Sequence, residues 1–215
     1  MKFKEFISVN FNIYYQRTFS YYGEDTVLKR IMNIKNGFYV DVGANHPSRF
    51  SNTWHLYKQG WNGLNVDLDM KLFRRFRKRD INVEAIVSNI KGARVFHIDT
   101  RHTGNLSSLE KIHDYTKMSF KTVQTRTLKN ILDEHNINKI DLLDIDCEGH
   151  DYEVLLSHNW DIRPKYILIE IWNTEVEEVF KSSIYTFLKK IKYRLRSINV
   201  NTLIWEREDL ESKIL

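Results

Sequence analysis

The chain has little of what marks secreted, fibrous or membrane proteins. Its 215 residues include one cysteine, two prolines and eight glycines. The lone cysteine, Cys147, cannot form an internal disulfide, which favours a reducing compartment. No apolar run approaches the roughly 20 residues that a membrane-spanning helix needs, and the first residues lack the apolar segment of a secretory signal. We therefore expect a cytoplasmic protein without a membrane span.

What is present is the composition of an ordinary folded domain. Hydrophobic residues make up 42% of the chain and charged residues 28%. The length is enough for one hydrophobic core and too short for two full domains joined by a linker. We predict a single domain over residues 1–215, with a cap and a helix in residues 1–36 and the core in residues 37–215.

The strongest charged run is basic and covers residues 71–79. Leu72, Phe73 and Phe76 fall on one stripe of a helix, so the cations are expected on the remaining, solvated faces. An alternative use of these cations is to attract an anionic partner, such as a nucleotide-linked sugar or a nucleic acid. We favour the solvated face and do not predict a nucleic-acid partner.

The stretch at residues 37–47 organises the rest of the chain. Its apolar residues lead into Gly43, Ala44 and Asn45, a pattern that predicts a buried parallel strand ending at a tight turn. In open α/β sheets the ligand binds beyond the carboxyl ends of the strands, where such a turn lets the main chain approach it. The stretch therefore predicts the start of a nucleotide-like cofactor site.

Strand and helix patterns alternate along the chain, which predicts right-handed crossovers and a mostly parallel sheet. The predicted strands cover residues 37–42, 64–67, 82–87, 93–98, 120–126, 140–145 and 166–171, with a closing hairpin at 193–198 and 202–205. The predicted helices cover residues 26–32, 54–60, 69–79, 127–135, 152–156 and 175–190. Residues 100–108 are polar and contain glycine, which predicts a mobile loop over the site.

Three motifs recur in a recognisable order: SYYGED at residues 20–25, VDVGANHP at residues 40–47 and DLLDIDCEG at residues 141–149. Together they resemble the S-adenosylmethionine-dependent methyltransferases of the FkbM family. The resemblance implies an α/β protein with a Rossmann-like class I methyltransferase fold. That fold has a mostly parallel seven-stranded sheet, helices on both faces and a C-terminal antiparallel hairpin. It also implies S-adenosylmethionine as the cofactor.

The cofactor site is predicted at the ends of the first two strands. Asp67 follows the glycine turn by about 20 residues, the spacing at which an acid in a Rossmann-like fold binds ribose hydroxyls, and Asp69 is the alternative. His46 follows the turn and could reach the cofactor or the acceptor, or fix its own loop by a hydrogen bond. The predicted cofactor-binding residues are Asp41, Gly43, Ala44, Asn45, His46, Asp67 and Asp146.

The predicted catalytic residues are Asp146, Glu148 and His150, which follow the strand at 140–145. Imidazole titrates near neutrality, which suits His150 to the role of general base, while the carboxylates would orient the acceptor hydroxyl. The family pattern usually has lysine where this chain has Asp144. The extra acid raises the possibility that Asp144, Asp146 and Glu148 hold a divalent ion such as Mg²⁺, although we do not favour metal dependence.

These residues predict an O-methyltransferase with a small-molecule or carbohydrate acceptor. We expect a sugar hydroxyl of a glycan or glycolipid precursor, because Trp54, Trp61 and Trp172 could supply stacking surfaces near strand ends; a polyketide-like hydroxyl is the alternative. A nicotinamide-dependent oxidoreductase would share the sheet and Asp67, but the turn lacks the three-glycine fingerprint. A nucleic-acid-binding module using residues 71–79 is the remaining alternative, and its binding would depend steeply on salt.

Overall fold

The computed structural model describes residues 17–99, 109, 118–172 and 175–209. Its helices are α1 (Glu24–Ile31), α2 (Trp54–Lys58), α3 (Lys71–Phe76), α4 (Leu128–Glu134), α5 (Asp151–Leu156), α6 (Val176–Val179) and α7 (Ser183–Lys190). Its strands are β1 (Phe38–Val42), β2 (Asn62–Asp67), β3 (Ile81–Glu84), β4 (Ile86–Val87), β5 (Gly92–Asp99), β6 (Met118–Arg126), β7 (Leu142–Ile145), β8 (Tyr166–Glu170), β9 (Tyr193–Asn199) and β10 (Thr202–Arg207).

The main sheet has seven strands in the order β3-β2-β1-β7-β8-β10-β9. The first five of these run parallel, whereas β10 is antiparallel to both β8 and β9. The chain builds one side of the sheet from β1 through β2 and β3, and returns to β7 to build the other side. The strand order therefore reverses between β1 and β7, which is where doubly wound sheets bind ligands. The sheet and its C-terminal hairpin confirm the predicted fold class.

Alternate residues along the strands face two different helical layers. Val40 of β1 lies in one core cluster with Ile131 of α4 and Leu188 of α7. Tyr39, the preceding residue, lies in a second cluster with Leu28 of α1. Burying an aliphatic side chain of this size stabilises the fold by about 1.5–3 kcal/mol. Helices thus cover both faces of the sheet, as predicted, and leave the carboxyl ends of the parallel strands for a site.

A second, three-stranded sheet stands beside the main one, in the order β4-β6-β5. The prediction of one strand over residues 82–87 is wrong, because β3 ends at Glu84 and the following residues leave the main sheet to pair with β6. The segment predicted at 93–98 is indeed antiparallel, as part of β5, but it pairs with β6 in this second sheet. Phe96, Leu109 and Val123 form a small apolar cluster on one of its faces.

Two predicted helices are shorter than expected. The helix predicted at 69–79 ends at Phe76, because Arg77 leaves the helical conformation at φ −117° and ψ 57°. The helix predicted at 175–190 is two helices, and Ser182 starts the second by accepting a hydrogen bond from the Tyr185 amide at 3.1 Å. The predictions for residues 1–16 and for the loop at 100–108 concern parts of the chain outside the described residues. Within the described ranges, no helix is both long and apolar enough to cross a membrane.

Candidate functional site

A cavity of about 760 Å³ opens beyond the carboxyl ends of β1, β2, β7 and β8. The described residues that line it include eight acids and neither lysine nor arginine. The acids are Glu24, Asp41, Asp67, Asp69, Asp144, Asp146, Glu148 and Glu170. Because the whole chain carries a formal net charge of +5, this lining is opposite in character to the rest of the molecule. Such a cavity favours neutral or cationic ligands over anionic ones.

The turn after β1 is shaped by Gly43 at φ 81°, a left-handed conformation that glycine adopts without steric cost. A Cβ atom at this position would lie 1.8 Å from the main-chain oxygen of Asp146. The amide of Gly43 donates to the Val66 oxygen at 3.0 Å, which ties the turn to β2. The turn therefore requires glycine for two independent reasons, its conformation and its contact with the chain after β7.

Asp67 lies directly beside this turn. One of its carboxylate oxygens accepts the Asn45 amide at 2.8 Å and the other accepts the Leu68 amide at 2.5 Å. Burial raises the pKa of the Asp67 carboxyl, and these amide hydrogen bonds oppose that effect. Asp69 is exposed on the same rim of the cavity. The structure thus brings together Gly43, Ala44, Asn45 and Asp67, as the sequence predicts.

Asp41 and Asp144 form the floor of the cavity, opposite each other on β1 and β7. Asp41 accepts a hydrogen bond from the Thr53 hydroxyl at 2.5 Å, and Asp144 accepts one from the Asn52 amide group at 3.3 Å. Burial raises the pKa of both carboxyls, and the proximity of Asp41 raises that of Asp144 further. The loop that carries Asn52 and Thr53 is therefore held against the sheet by these two acids.

Arg77 anchors the same loop from the other side, although the sequence predicts it as a solvated cation. Its side chain is fully buried. Its guanidinium donates to the Pro47 oxygen at 2.7 Å, to the Ser51 hydroxyl at 2.6 Å and to the Thr53 hydroxyl at 2.7 Å. It also donates to Tyr39 and Asn65. The prediction that the cations of residues 71–79 are all solvated is therefore wrong for Arg77, whose donors are turned into the protein because the chain leaves the helix there.

The carboxyl ends of β7 and β8 supply the other wall of the cavity. Asp146 follows β7 and Glu170 ends β8, and both side chains line the cavity. The indole Nε1 of Trp172 donates to Glu170 at 2.6 Å. Burial raises the pKa of Asp146 well above its ordinary value and that of Glu170 to about 8, with neighbouring carboxyls adding to both effects.

Glu148 and His150 lie on the same wall. Glu148 adopts a left-handed backbone at φ 52°, and His150 is only 2% exposed, with its Nδ1 atom 3.7 Å from Glu153. Burial raises the pKa of the Cys147 thiol well above its ordinary value, which agrees with a packing role for this residue and not a nucleophilic one. All three predicted catalytic residues therefore line one cavity.

His46 and two of the tryptophans stand apart from the cavity. The ring Nδ1 of His46 accepts the amides of Ser48 and Arg49 at 3.2 and 3.0 Å, which supports the alternative in which it fixes its own loop. Trp61 is buried in the core, and Trp54 stacks on Tyr57. Of the tryptophans considered for stacking, only Trp172 is among the described lining residues.

The described residues contain no group of three or more histidine, cysteine, aspartate or glutamate side chains that could hold a metal ion. Asp144, Asp146 and Glu148 are all described and do not form such a group.

Two acids that line the cavity, Glu24 and Glu170, were not predicted as site residues from the sequence. Glu24 is 2% exposed and accepts the Tyr22 amide at 3.0 Å, and it belongs to the SYYGED motif. Glu170 could have been found by the rule that identified Asp67, because it is an acid at the carboxyl end of a predicted parallel strand.

Residues 41–195 of the chain match the model of a known protein family, the Methyltransferase FkbM domain. The chain belongs to the FkbM methyltransferase family. It is therefore a methyltransferase, and its sheet is that of the Rossmann-like methyltransferase fold. Methyltransferases of this kind generally use S-adenosylmethionine as the methyl donor. No curated protein sequence gives a significant match.

Proposed function

We propose that the protein transfers the methyl group of S-adenosylmethionine to a hydroxyl oxygen, and that the acceptor is a sugar in a glycan or glycolipid precursor. One observation carries this proposal: the cavity at the sheet's switch point is lined by acids, with the Gly43 turn and Asp67 at one end. A cation fits this lining, whereas the pyrophosphate of a nicotinamide cofactor and the backbone of a nucleic acid would meet only like charge.

The residues at the turn fit the proposed cofactor. Each oxygen of a carboxylate has two acceptor sites, so Asp67 can accept ribose hydroxyls in addition to the two amides that it already binds. The main chain at Gly43, Ala44 and Asn45 carries no large side chain between it and the cavity. The carboxyl groups of Asp41 and Asp146 add negative potential for the cationic part of the ligand. When bound, the cofactor supplies a methyl group that its sulfonium makes electrophilic.

The wall beyond β7 is proposed to hold the acceptor. Asp146, Glu148 and His150 all line it, and they follow one another closely after a buried strand. A rigid wall of this kind positions a hydroxyl in line with the methyl donor, and alignment is the main contribution that a protein makes to a displacement reaction. These residues are therefore proposed to orient the hydroxyl and to shield the reaction from bulk water.

A sugar acceptor is supported by the aromatic mouth of the cavity. Tyr21, Tyr22 and Phe50 line it and are 63%, 46% and 45% exposed. The Tyr21 ring lies 4.6 Å from that of Tyr22 and 5.0 Å from that of Phe50, so the three form one patch. Exposed aromatic patches of this kind commonly mark binding sites, and their faces suit the C–H surfaces of a sugar. The acid lining indicates that this sugar is not phosphorylated.

A polyketide-like or other small-molecule hydroxyl is the second candidate. It is favoured by the apolar wall that the small sheet contributes, where Ile86, Phe96 and Ile98 line the cavity with Leu109. An apolar acceptor would bury this wall, whereas a sugar would leave it in contact with water.

Incubation of the purified protein with methyl-labelled S-adenosylmethionine tests the choice. The two acceptor pools are a glycan and glycolipid extract and a panel of hydroxylated polyketides. We expect label in the first pool, recovered as an O-methyl sugar after acid hydrolysis. Label recovered only from the polyketides would select the second candidate, and label recovered only from added nucleic acid would contradict both.

A further inference from the structure

The two ends of the cavity are far enough apart to serve different ligand groups. Asp67 ends β2 and Glu170 ends β8, with β1 and β7 between them. At the usual strand spacing of about 4.8 Å, three steps across the sheet place these two ends roughly 14 Å apart. If Asp67 binds the ribose, as the proposed function holds, the β8 end of the cavity is left for the acceptor. The inference below rests on that proposed function.

The acceptor end is built around two neighbouring acids. Ile145 and Ile169 are paired in register on β7 and β8, so Asp146 and Glu170 follow them at neighbouring strand ends. Both side chains line the same cavity, and the proximity of Glu170 raises the pKa of the Asp146 carboxyl. Two like charges held this close disfavour each other, so the pair holds one proton near neutral pH.

The surroundings of the pair keep that proton in place. Asp151 from α5 and Glu148 from the preceding loop raise the pKa of Glu170, and Glu170 in turn raises that of Tyr22. On the other side of the pair, Asp151 and Asp41 raise the pKa of Asp146, which raises that of Asp144. Thr202 of β10 lies opposite Glu170 in register, and Trp172 donates its indole N–H to the Glu170 carboxyl group at 2.6 Å. No described lysine or arginine lines the cavity to draw the proton off.

We propose that Asp146 and Glu170 share one proton and act together as the general base that accepts the hydroxyl proton of the acceptor. As the acceptor oxygen bonds to the methyl carbon, the carbon–sulfur bond breaks and its electron pair stays on sulfur. The hydroxyl proton passes to an ionised carboxylate of the pair, and the pair returns that proton to water afterwards. Glu170 is thereby a catalytic residue that the motif positions do not contain.

This assignment takes the proton-accepting role from His150. The imidazole is 2% exposed and its Nδ1 lies near Glu153 on α5, whereas Asp146 and Glu170 are both partly exposed at the cavity wall. A general base must reach the proton that it removes, at a heavy-atom distance of about 2.6–3.2 Å. His150 is then a positioning residue at the start of α5.

The pair has a signature that can be measured without knowing the acceptor. A cation bound beside the pair stabilises its doubly ionised form, so binding of S-adenosylmethionine releases a proton near pH 7.5, whereas neutral-sulfur S-adenosylhomocysteine releases much less. Titration calorimetry in two buffers of different ionisation enthalpy counts those protons. We expect roughly half a proton or more for S-adenosylmethionine and below about 0.1 in Glu170→Gln, whose amide donates to Asp146 and leaves nothing to release.

Glu134→Gln is the matched control, because Glu134 is an exposed glutamate on α4 far from the cavity, and it should release as many protons as the wild type. Failure of S-adenosylmethionine to bind would overturn the proposed function. Binding without proton release, or release that persists in Glu170→Gln, would overturn the shared proton and leave the proposed function standing.

A second measurement covers the case in which Glu170→Gln fails to fold. The indole N–H signal of Trp172, assigned by its loss in Trp172→Phe, reports on the carboxyl group that it contacts. In the wild-type protein without ligand, we expect this signal to titrate between about pH 7 and pH 9, and Glu170→Asp to keep a titration with a different midpoint. A signal that stays flat over that range would show that Glu170 does not share a proton there.

Discussion

The two ends of the cavity are built in different ways. At the β1–β2 end the main chain shapes the wall: Gly43 and Asn45 take left-handed conformations, and the Asp67 carboxylate accepts the Asn45 amide. At the β7–β8 end the wall consists of side chains that are distant in sequence: Asp146 and Glu170 line it, and Trp172 donates to Glu170. A main-chain site tolerates little change in shape, whereas a side-chain site can change its chemistry without a change of fold.

The difference predicts that variants at the first end alter cofactor affinity or folding, and that variants at the second end alter turnover. The largest effect should come from Arg77→Ala. Removing the buried guanidinium takes away the donor that Ser51, Thr53 and Tyr39 share. It also leaves the buried carboxyls of Asp41 and Asp80 without their nearby cation, so we expect the free energy of unfolding to fall by about 3–5 kcal/mol.

Chemical denaturation measures the effect of Arg77→Ala, and Arg75→Ala is the control. Arg75 lies on α3, two residues before Arg77, but is exposed, so its loss should change the free energy of unfolding by less than about 0.5 kcal/mol. Equal effects of the two variants would mean that the buried network does not hold the loop.

Gly43→Ala should come next. The added Cβ would lie 1.8 Å from the Asp146 oxygen, so the turn must move and the two ends of the cavity with it. We expect a loss of about 2–3 kcal/mol in S-adenosylmethionine binding, measured by calorimetry on folded protein. Gly60→Ala separates the steric contact from the backbone strain. Gly60 has a similar φ of 93° but open space at its Cβ position, so Gly60→Ala should lower the free energy of unfolding only by the left-handed strain, about 1 kcal/mol.

Asp67→Ala tests the single side chain on which the first end depends. We expect S-adenosylmethionine affinity to fall by about 1.5–3 kcal/mol, the range for a lost hydrogen bond to a charged group, while the melting temperature stays close to that of the wild type. If the affinity falls in Asp69→Ala and not in Asp67→Ala, the ribose partner is the neighbouring acid.

The smallest effects on cofactor affinity should come from Glu148→Ala and His150→Ala. Both residues belong to the second end, so the dissociation constant of S-adenosylmethionine should stay within about threefold of the wild type, a shift under roughly 0.7 kcal/mol, while turnover falls. A larger loss of affinity in either variant would place that residue on the cofactor side and would contradict the assignment of the two ends to different ligands.

The same division explains what could be predicted from the sequence. Gly43, Ala44, Asn45 and Asp67 were predicted because a tight turn and a strand end are local features, with residue types that their conformations demand. The parallel sheet followed from alternating patterns. The break at Ala85 was not predicted, because no glycine or proline stands between Asn82 and Val87 to mark the change of sheet.

Long-range contacts account for the rest. Arg77 stands among other cations in the sequence, so the pattern predicts that it is solvated like them. Its burial depends on Pro47, Ser51 and Thr53, which lie far away in the chain. Glu170 ends a strand that the sequence does predict, but its partner is 24 residues earlier on the neighbouring strand. The pairing of two acids is visible only once β7 and β8 are placed side by side.

The central claim is that the acid-lined cavity binds S-adenosylmethionine at the Gly43 turn. Titration calorimetry with S-adenosylmethionine, S-adenosylhomocysteine and NADH tests it most directly. The account predicts micromolar dissociation constants for the two methionine-derived ligands, roughly −8 kcal/mol, and no measurable heat for NADH. Tight binding of NADH, with no heat for either methionine-derived ligand, would contradict it.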